Sequence, residues 1–158
     1  MLFCMIQPVF TFDNLLQRLQ LGKDATPFVI WHEKDLFGTH DNPVKIDLPC
    51  LFLCLDGEML LDINLQPYCF NREHLLCFTT PCACRIVSRS PGFRCVGLLL
   101  SKAFWRQLVH IERTLGKIAI RNAFIALNED EHERLSRFYD LLCLCADASG
   151  LKDSSGTL

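Results

Sequence analysis

Apolar and polar positions fall into short runs as far as Leu100, and at Ser101 the period lengthens. The clearest short runs flank Asp56-Gly57. Residues 50–55 are apolar throughout. Beyond the dipeptide, Met59, Leu61, Ile63 and Leu65 share one face, while Glu58, Asp62 and Asn64 share the other with Leu60. A period of two with acids on one side describes a strand half-buried on a sheet. Asp-Gly tolerates the positive φ of a tight turn, so residues 51–65 are expected to form a β-hairpin.

Further strand-like runs occupy residues 28–32, 44–48, 67–70, 75–79, 85–88 and 93–100, bounded by Asn71, Pro81 and Ser90-Pro91-Gly92. Short strands at intervals of about 8–12 residues point to a sandwich or barrel. The gaps leave no room for crossover helices, which argues against a doubly wound parallel sheet. Ahead of them, Asp13 is a candidate cap for a short helix over residues 14–21, with Leu15, Leu16 and Leu19 inward and Gly22 as its stop. The first twelve residues are apolar and broken by Pro8, and read as an edge strand or a packing tail.

Ser101 is a good N-cap, and Phe104, Leu108 and Ile111 follow at helical spacing. That helix should end before Gly116. Residues 117–127 fit a strand or an irregular crossing. Asn128 with Glu131 three residues on has the form of a capping box, and Glu129, Asp130 and Glu131 suit the positive end of a helix dipole. The helix they start runs to about residue 147. Leu135, Phe138, Leu142 and Cys145 make one apolar seam along it, widened by Tyr139. A seam on a last element must cover either the β-domain or a partner. Residues 148–158 are small and polar, as in a linker or frayed end. The expected organisation is an arm and short helix over residues 1–24, a β-domain over 25–100, a helical dimerisation region over 101–147 and a tail over 148–158.

Half of the 158 residues are hydrophobic and twelve are Phe, which suits one domain with its own core. A net charge of −2 and a pI near 6.2 make the chain a poor candidate for gripping phosphates by itself. The ten cysteines do not read as a disulfide framework. The start lacks the basic n-region and cleavage site of a signal peptide, and Cys50, Cys54, Cys69, Cys77, Cys95, Cys143 and Cys145 sit in apolar runs, where a thiol acts as a small hydrophobe. The expected compartment is the reducing cytoplasm. No apolar run approaches 18 residues, so neither a membrane span nor a membrane partner is expected.

Candidate chemistry is sparse. The five histidines, His32, His40, His74, His110 and His132, contain no His-x-His pair, and the neighbours in His32-Glu33 and His40-Asp41 would point to opposite faces of a strand. Cys82-Ala83-Cys84, led by Pro81, and Cys143-Leu144-Cys145 have one intervening residue rather than the two of common zinc and redox motifs. No Gly-x-Ser-x-Gly occurs, and Gly92 and Gly97 stand singly rather than forming a phosphate cradle. No catalytic residue, metal ligand or cofactor is assigned.

The order of elements nevertheless resembles the N-terminal sensor domain of AraC-family transcriptional regulators, particularly of the Bacteroides-like type. The likeness is carried by Leu53-Cys54-Leu55-Asp56-Gly57-Glu58, Ile63-Asn64, residues 88–93 leading into 96–100, the Phe104 helix, and residues 127–142 (LNEDEHERLSRFYDLL), and it spans about residues 25–147. The resemblance implies an α+β fold, with a cupin-like double-stranded β-helix barrel followed by helices that dimerise. It implies promoter DNA as a partner only through a C-terminal helix-turn-helix domain. This chain reaches Leu158 without one, so it is expected to be a truncated piece or a stand-alone remnant that senses and dimerises.

A barrel of this kind holds a small effector if its mouth stays open. Trp31, Phe52, Cys54, Phe78 and Arg85 are the candidate lining residues, with a filled barrel as the alternative for each. A homodimer is expected through Leu135, Phe138, Tyr139, Leu142 and Cys145. Residues 1–12 are a candidate arm by fold-level analogy. The alternative function is a small metal-dependent cupin enzyme, such as an isomerase or dioxygenase, binding metal through His32 or His40.

Overall fold

The all-apolar run at residues 50–55 is covered on both faces, and the rest of the chain is disposed about it. The computed structural model describes residues 9–23, 25–32, 43–79, 81–111 and 124–148, the side chains of 111 and 146–148 excepted. In chain order the described elements are β1 (Val9–Thr11), α1 (Phe12–Arg18), β2 (Phe28–Trp31), β3 (Val44–Asp47), β4 (Cys50–Asp56), β5 (Met59–Ile63), β6 (Gln66–Phe70), β7 (His74–Phe78), β8 (Cys82–Arg89), β9 (Arg94–Leu100), α2 (Lys102–Ile111), β10 (Phe124–Ala126) and α3 (Glu129–Ala148). The fold is α+β. One five-stranded sheet runs β1-β3-β8-β5-β6 and the other β10-β7-β4-β9-β2. β1 lies parallel to β3, and the other described pairings are antiparallel.

The inner faces of both sheets form the main core. Ile46 of β3, Phe52 and Cys54 of β4, Met59 and Leu61 of β5, Phe70 of β6 and Leu76 of β7 are each 1% exposed or less there. The outer face of the second sheet carries a smaller cluster of Ile30, Leu53 and Val96, closed by Tyr139 of α3. β4 is central in that sheet, with Cys50, Phe52 and Cys54 turned to the main core and Leu53 turned to α3. Two buried faces account for its lack of alternation. β5 alternates as expected, with Met59, Leu61 and Ile63 buried and Leu60 43% exposed.

The expected hairpin at Asp56-Gly57 does not form. β4 pairs with β7 and β9, whereas β5 pairs with β6 and β8, so this turn carries the chain from one sheet to the other. The two strands have different burial demands: β4 needs cover on both sides, and β5 presents Leu60 and Asp62 outward. Gly57 has a φ of 75°, and a Cβ there would stand 2.5 Å from Ser90 Oγ and 3.1 Å from Phe93 Cα. Glu58 N donates to Ser90 Oγ at 3.0 Å, and Ser90 N donates to Glu58 O at 2.9 Å. The corner is thereby stitched to the next one, where the chain leaves β8 for β9. The two-residue hairpin stands at Asn64-Leu65 instead, between β5 and β6, with φ of 51° and 69°.

The sheets do not close into the expected barrel. No described strand pairs across them, and they face each other as two layers. Three-residue strands β1 and β10 occupy one edge of each sheet, too short to bridge the gap. Within residues 1–12, the edge strand is residues 9–11; residues 1–8 of the candidate arm lie outside the described residues. Of the ambiguous stretch 117–127, residues 124–126 are β10 and 117–123 lie outside the described residues.

Thr11, not Asp13, caps α1. Asn14 N donates to Thr11 Oγ1 at 3.1 Å and Thr11 N donates to Asn14 Oδ1 at 3.3 Å. The helix starts earlier than expected because Phe12 enters the core directly after β1. Ser101 caps α2 as expected, its Oγ accepting from Phe104 N at 3.1 Å.

Candidate functional site

The terminal helix and the sheet beneath it form the most definite candidate site. Asn128 and Glu131 make the expected capping box: Glu131 N donates to Asn128 Oδ1 at 2.8 Å and Asn128 N donates to Glu131 Oε1 at 3.3 Å. From this fixed start, residues 132, 135, 139, 142 and 143 repeat on one helical face. His132 Nε2 lies 2.7 Å from Cys54 O. A carbonyl has no proton to give, so Nε2 is the protonated nitrogen. Cys54 adjoins the register shift between β4 and β9, where the ladder is irregular. The Tyr139 phenol donates to Leu51 O at 2.8 Å. Cys143 Sγ lies 3.7 Å from His32 Nε2, at the end of β2. Leu135 and Leu142 pack between these polar contacts on the second apolar cluster.

The opposite face of α3 is bare. Phe138 is 50% exposed, Leu141 60% and Leu144 65%, with Cys145 exposed beside them. The five residues expected at a dimer seam are therefore divided. Leu135, Tyr139 and Leu142 face the chain's own sheet, and Phe138 and Cys145 face outward. Leu141 and Leu144 are absent from that expected seam. They lie three and six residues beyond Phe138, and that spacing is the signal for a second apolar face. His132 and Cys143 were legible in the same way, at steps of seven and four from Tyr139.

The expected lining residues are not brought together as a set. Trp31, Phe52, Cys54 and Phe78 are all 3% exposed or less and belong to the core between the sheets. Arg85 is on the outer face of the first sheet, where its guanidinium holds Asp62 Oδ2 at 2.6 Å. Strand parity explains the split, since Cys82 and Cys84 take the inner face of β8. Those two thiols are buried in a strand. Burial pushes Cys82 up to about 12 and, with smaller help from Cys82 and Asp62, holds Cys84 well above the usual thiol range.

Trp31 carries an unusual feature. Its Nε1 is buried and has no hydrogen-bond partner among the described residues. Phe10 meets the indole edge-on with ring centroids 6.1 Å apart, and the Arg18 guanidinium lies 5.6 Å from its ring centroid. An unsatisfied buried donor costs roughly 1–3 kcal/mol. An acceptor presented to Nε1 would recover that energy.

A cleft of about 470 Å³ opens between α1, α2 and the ends of β2 and β3, its polar wall including Thr11, Asp13, Asp47, Lys102 and Gln107. Lys102 Nζ is already paired with Asp47 Oδ1 at 2.9 Å. A second cleft of about 390 Å³ lies beside the start of α3, near Arg72, His74 and His132. Among the described residues, no group of three or more His, Cys, Asp or Glu is placed to hold a metal ion. His32 lies against Cys143, and His40 is outside the described residues. No described helix is long and apolar enough to cross a membrane. No protein-family model matches the chain, and no curated protein matches it significantly.

Proposed function

We propose that this chain is the effector-sensing and dimerisation region of a cytoplasmic transcriptional regulator of the AraC type. In this reading, promoter DNA is bound by a separate helix-turn-helix domain. The observation that carries it is α3: one face is fixed to the sheet by His132 and Tyr139, and the other offers Phe138, Leu141 and Leu144 to solvent. A rigidly mounted helix with a bare apolar stripe suits pairing with the same stripe on a second copy.

Strand order supports a cupin-like double-stranded β-helix. Among β2 to β9, all successive strands except β5 and β6 alternate between the sheets, and the orders β2-β9-β4-β7 and β3-β8-β5-β6 suit two interleaved Greek keys. The Trp31 N–H, which has no partner among the described residues, supports a sensing role, since an effector with a hydrogen-bond acceptor would satisfy it. Such an effector acts by favouring one arrangement of helix and sheets over another.

The reading is tested by fusing the chain to a monomeric DNA-binding domain and measuring binding to a two-half-site operator. Cooperative occupancy of both half-sites is expected, and it should be lost with Leu141→Glu. Binding no better than that of the unfused domain would overturn the reading.

A further inference from the structure

We infer that Cys143, paired with His32, is a thiol-exchange site through which small disulfides modify the terminal helix. The two side chains come from residues 111 positions apart, and the Sγ–Nε2 separation is 3.7 Å. Cys143 is partly exposed, so a small reagent reaches it, while its inner side packs on the cluster between α3 and the second sheet. In the tautomer that leaves Nε2 without a hydrogen, the imidazole is placed to accept the thiol proton, and the thiolate is the nucleophilic form of cysteine.

The step balances without a further oxidant. The Cys143 thiolate attacks one sulfur of a low-molecular-mass disulfide. A new S–S bond forms, the old one breaks, and the departing thiolate leaves as a thiol with the proton held by His32. Cys143 is oxidised to the mixed disulfide and the other half of the reagent is reduced.

The other described thiols give the contrast. Burial holds Cys50 well above the usual thiol range, and pushes Cys54 up to about 11 and Cys77 to about 12. Cys69 is exposed, but partial desolvation and the Glu58 carboxylate, 3.6 Å from its sulfur, keep it protonated to higher pH. Exposure alone therefore favours Cys69 and Cys145, whereas an imidazole partner favours Cys143. A group attached at Cys143 must push between α3 and the end of β2, which displaces the last turns of the helix. That displacement does not depend on the assembly reading above; only its consequence for pairing does.

The test treats the full chain with glutathione disulfide at neutral pH and follows each cysteine by peptide mapping over time. The mixed disulfide is expected at Cys143 on the order of tenfold faster than at Cys69 or Cys145, and His32→Gln should remove the difference. Faster reaction at Cys69 or Cys145, or an advantage of Cys143 that survives His32→Gln, would overturn the proposal. If His32→Gln does not fold, the order of reaction in the unaltered chain decides alone.

Discussion

The phenol of Tyr139 donates to the backbone carbonyl of Leu51 at 2.8 Å, linking the middle of the terminal helix to the central strand of the second sheet across 88 residues of sequence. Tyr139 is 4% exposed, so water cannot replace the bond. Tyr139→Phe keeps the ring packing and leaves the carbonyl short of a partner. It should lower stability by about 1–2 kcal/mol. Urea unfolding should show a lower midpoint at unchanged slope. An unchanged midpoint would mean that the Tyr139 bond does not help to hold α3 on the sheet.

Gly97 should not tolerate alanine. It sits in β9 directly across from Phe52 on one side and Trp31 on the other. A Cβ there would meet the Phe52 ring, with Cδ1 only 2.6 Å away. Phe52 is fully buried and has nowhere to move. Gly97→Ala should cost about 1–3 kcal/mol by overpacking, read as a fall in Tm.

Alkaline pH should destabilise the fold. Burial pushes the thiols of Cys54, Cys77 and Cys82 up to about 11, 12 and 12, and raises Cys50, Cys84 and Tyr139 as well. In the unfolded chain, thiols titrate at about 8.5 and a phenol at about 10. Above those values the unfolded state binds fewer protons than the folded one, so stability falls as pH rises. The contribution is fully present below about pH 8 and is lost progressively towards pH 12. Tm measured between pH 7 and 11 should fall continuously once the thiols begin to titrate in the unfolded chain. A flat profile would contradict the burial of these groups.

Much of the fold was legible where one face of an element decides its pattern. Met59, Leu61 and Ile63 announced the packed face of β5, and Asn128 with Glu131 announced the start of α3. What was not legible depended on which sheet a strand joins. An Asp-Gly turn reads alike whether it closes a hairpin or turns a corner between sheets, because the local φ requirement is the same. The all-apolar run of β4 held the missing information: a strand covered on both faces is central, and its sequence neighbour need not be its partner. The site was legible in outline only. The seam of α3 is legible, but Phe138 and Tyr139 are adjacent and point to different sides, so the single stripe of the sequence is two in the structure.

That division changes which variants are informative. Leu135 and Leu142 pack on the chain's own sheet, so placing Glu at either should unfold the helix from the sheet and lower Tm by several degrees, through loss of about 2–4 kcal/mol of core packing. Leu141 is 60% exposed, and Leu141→Glu should leave Tm within about 2 °C at a protein concentration too low for pairing.

The most direct measurement of the central claim is the solution mass of the full chain by sedimentation equilibrium, alone and with Phe138→Glu and Leu141→Glu together. The protein should sediment at twice its 18.1 kDa chain mass, and the double variant should sediment at the chain mass with its circular dichroism unchanged. A chain that remains at 18.1 kDa at high concentration, or a dimer indifferent to both substitutions, would contradict the account.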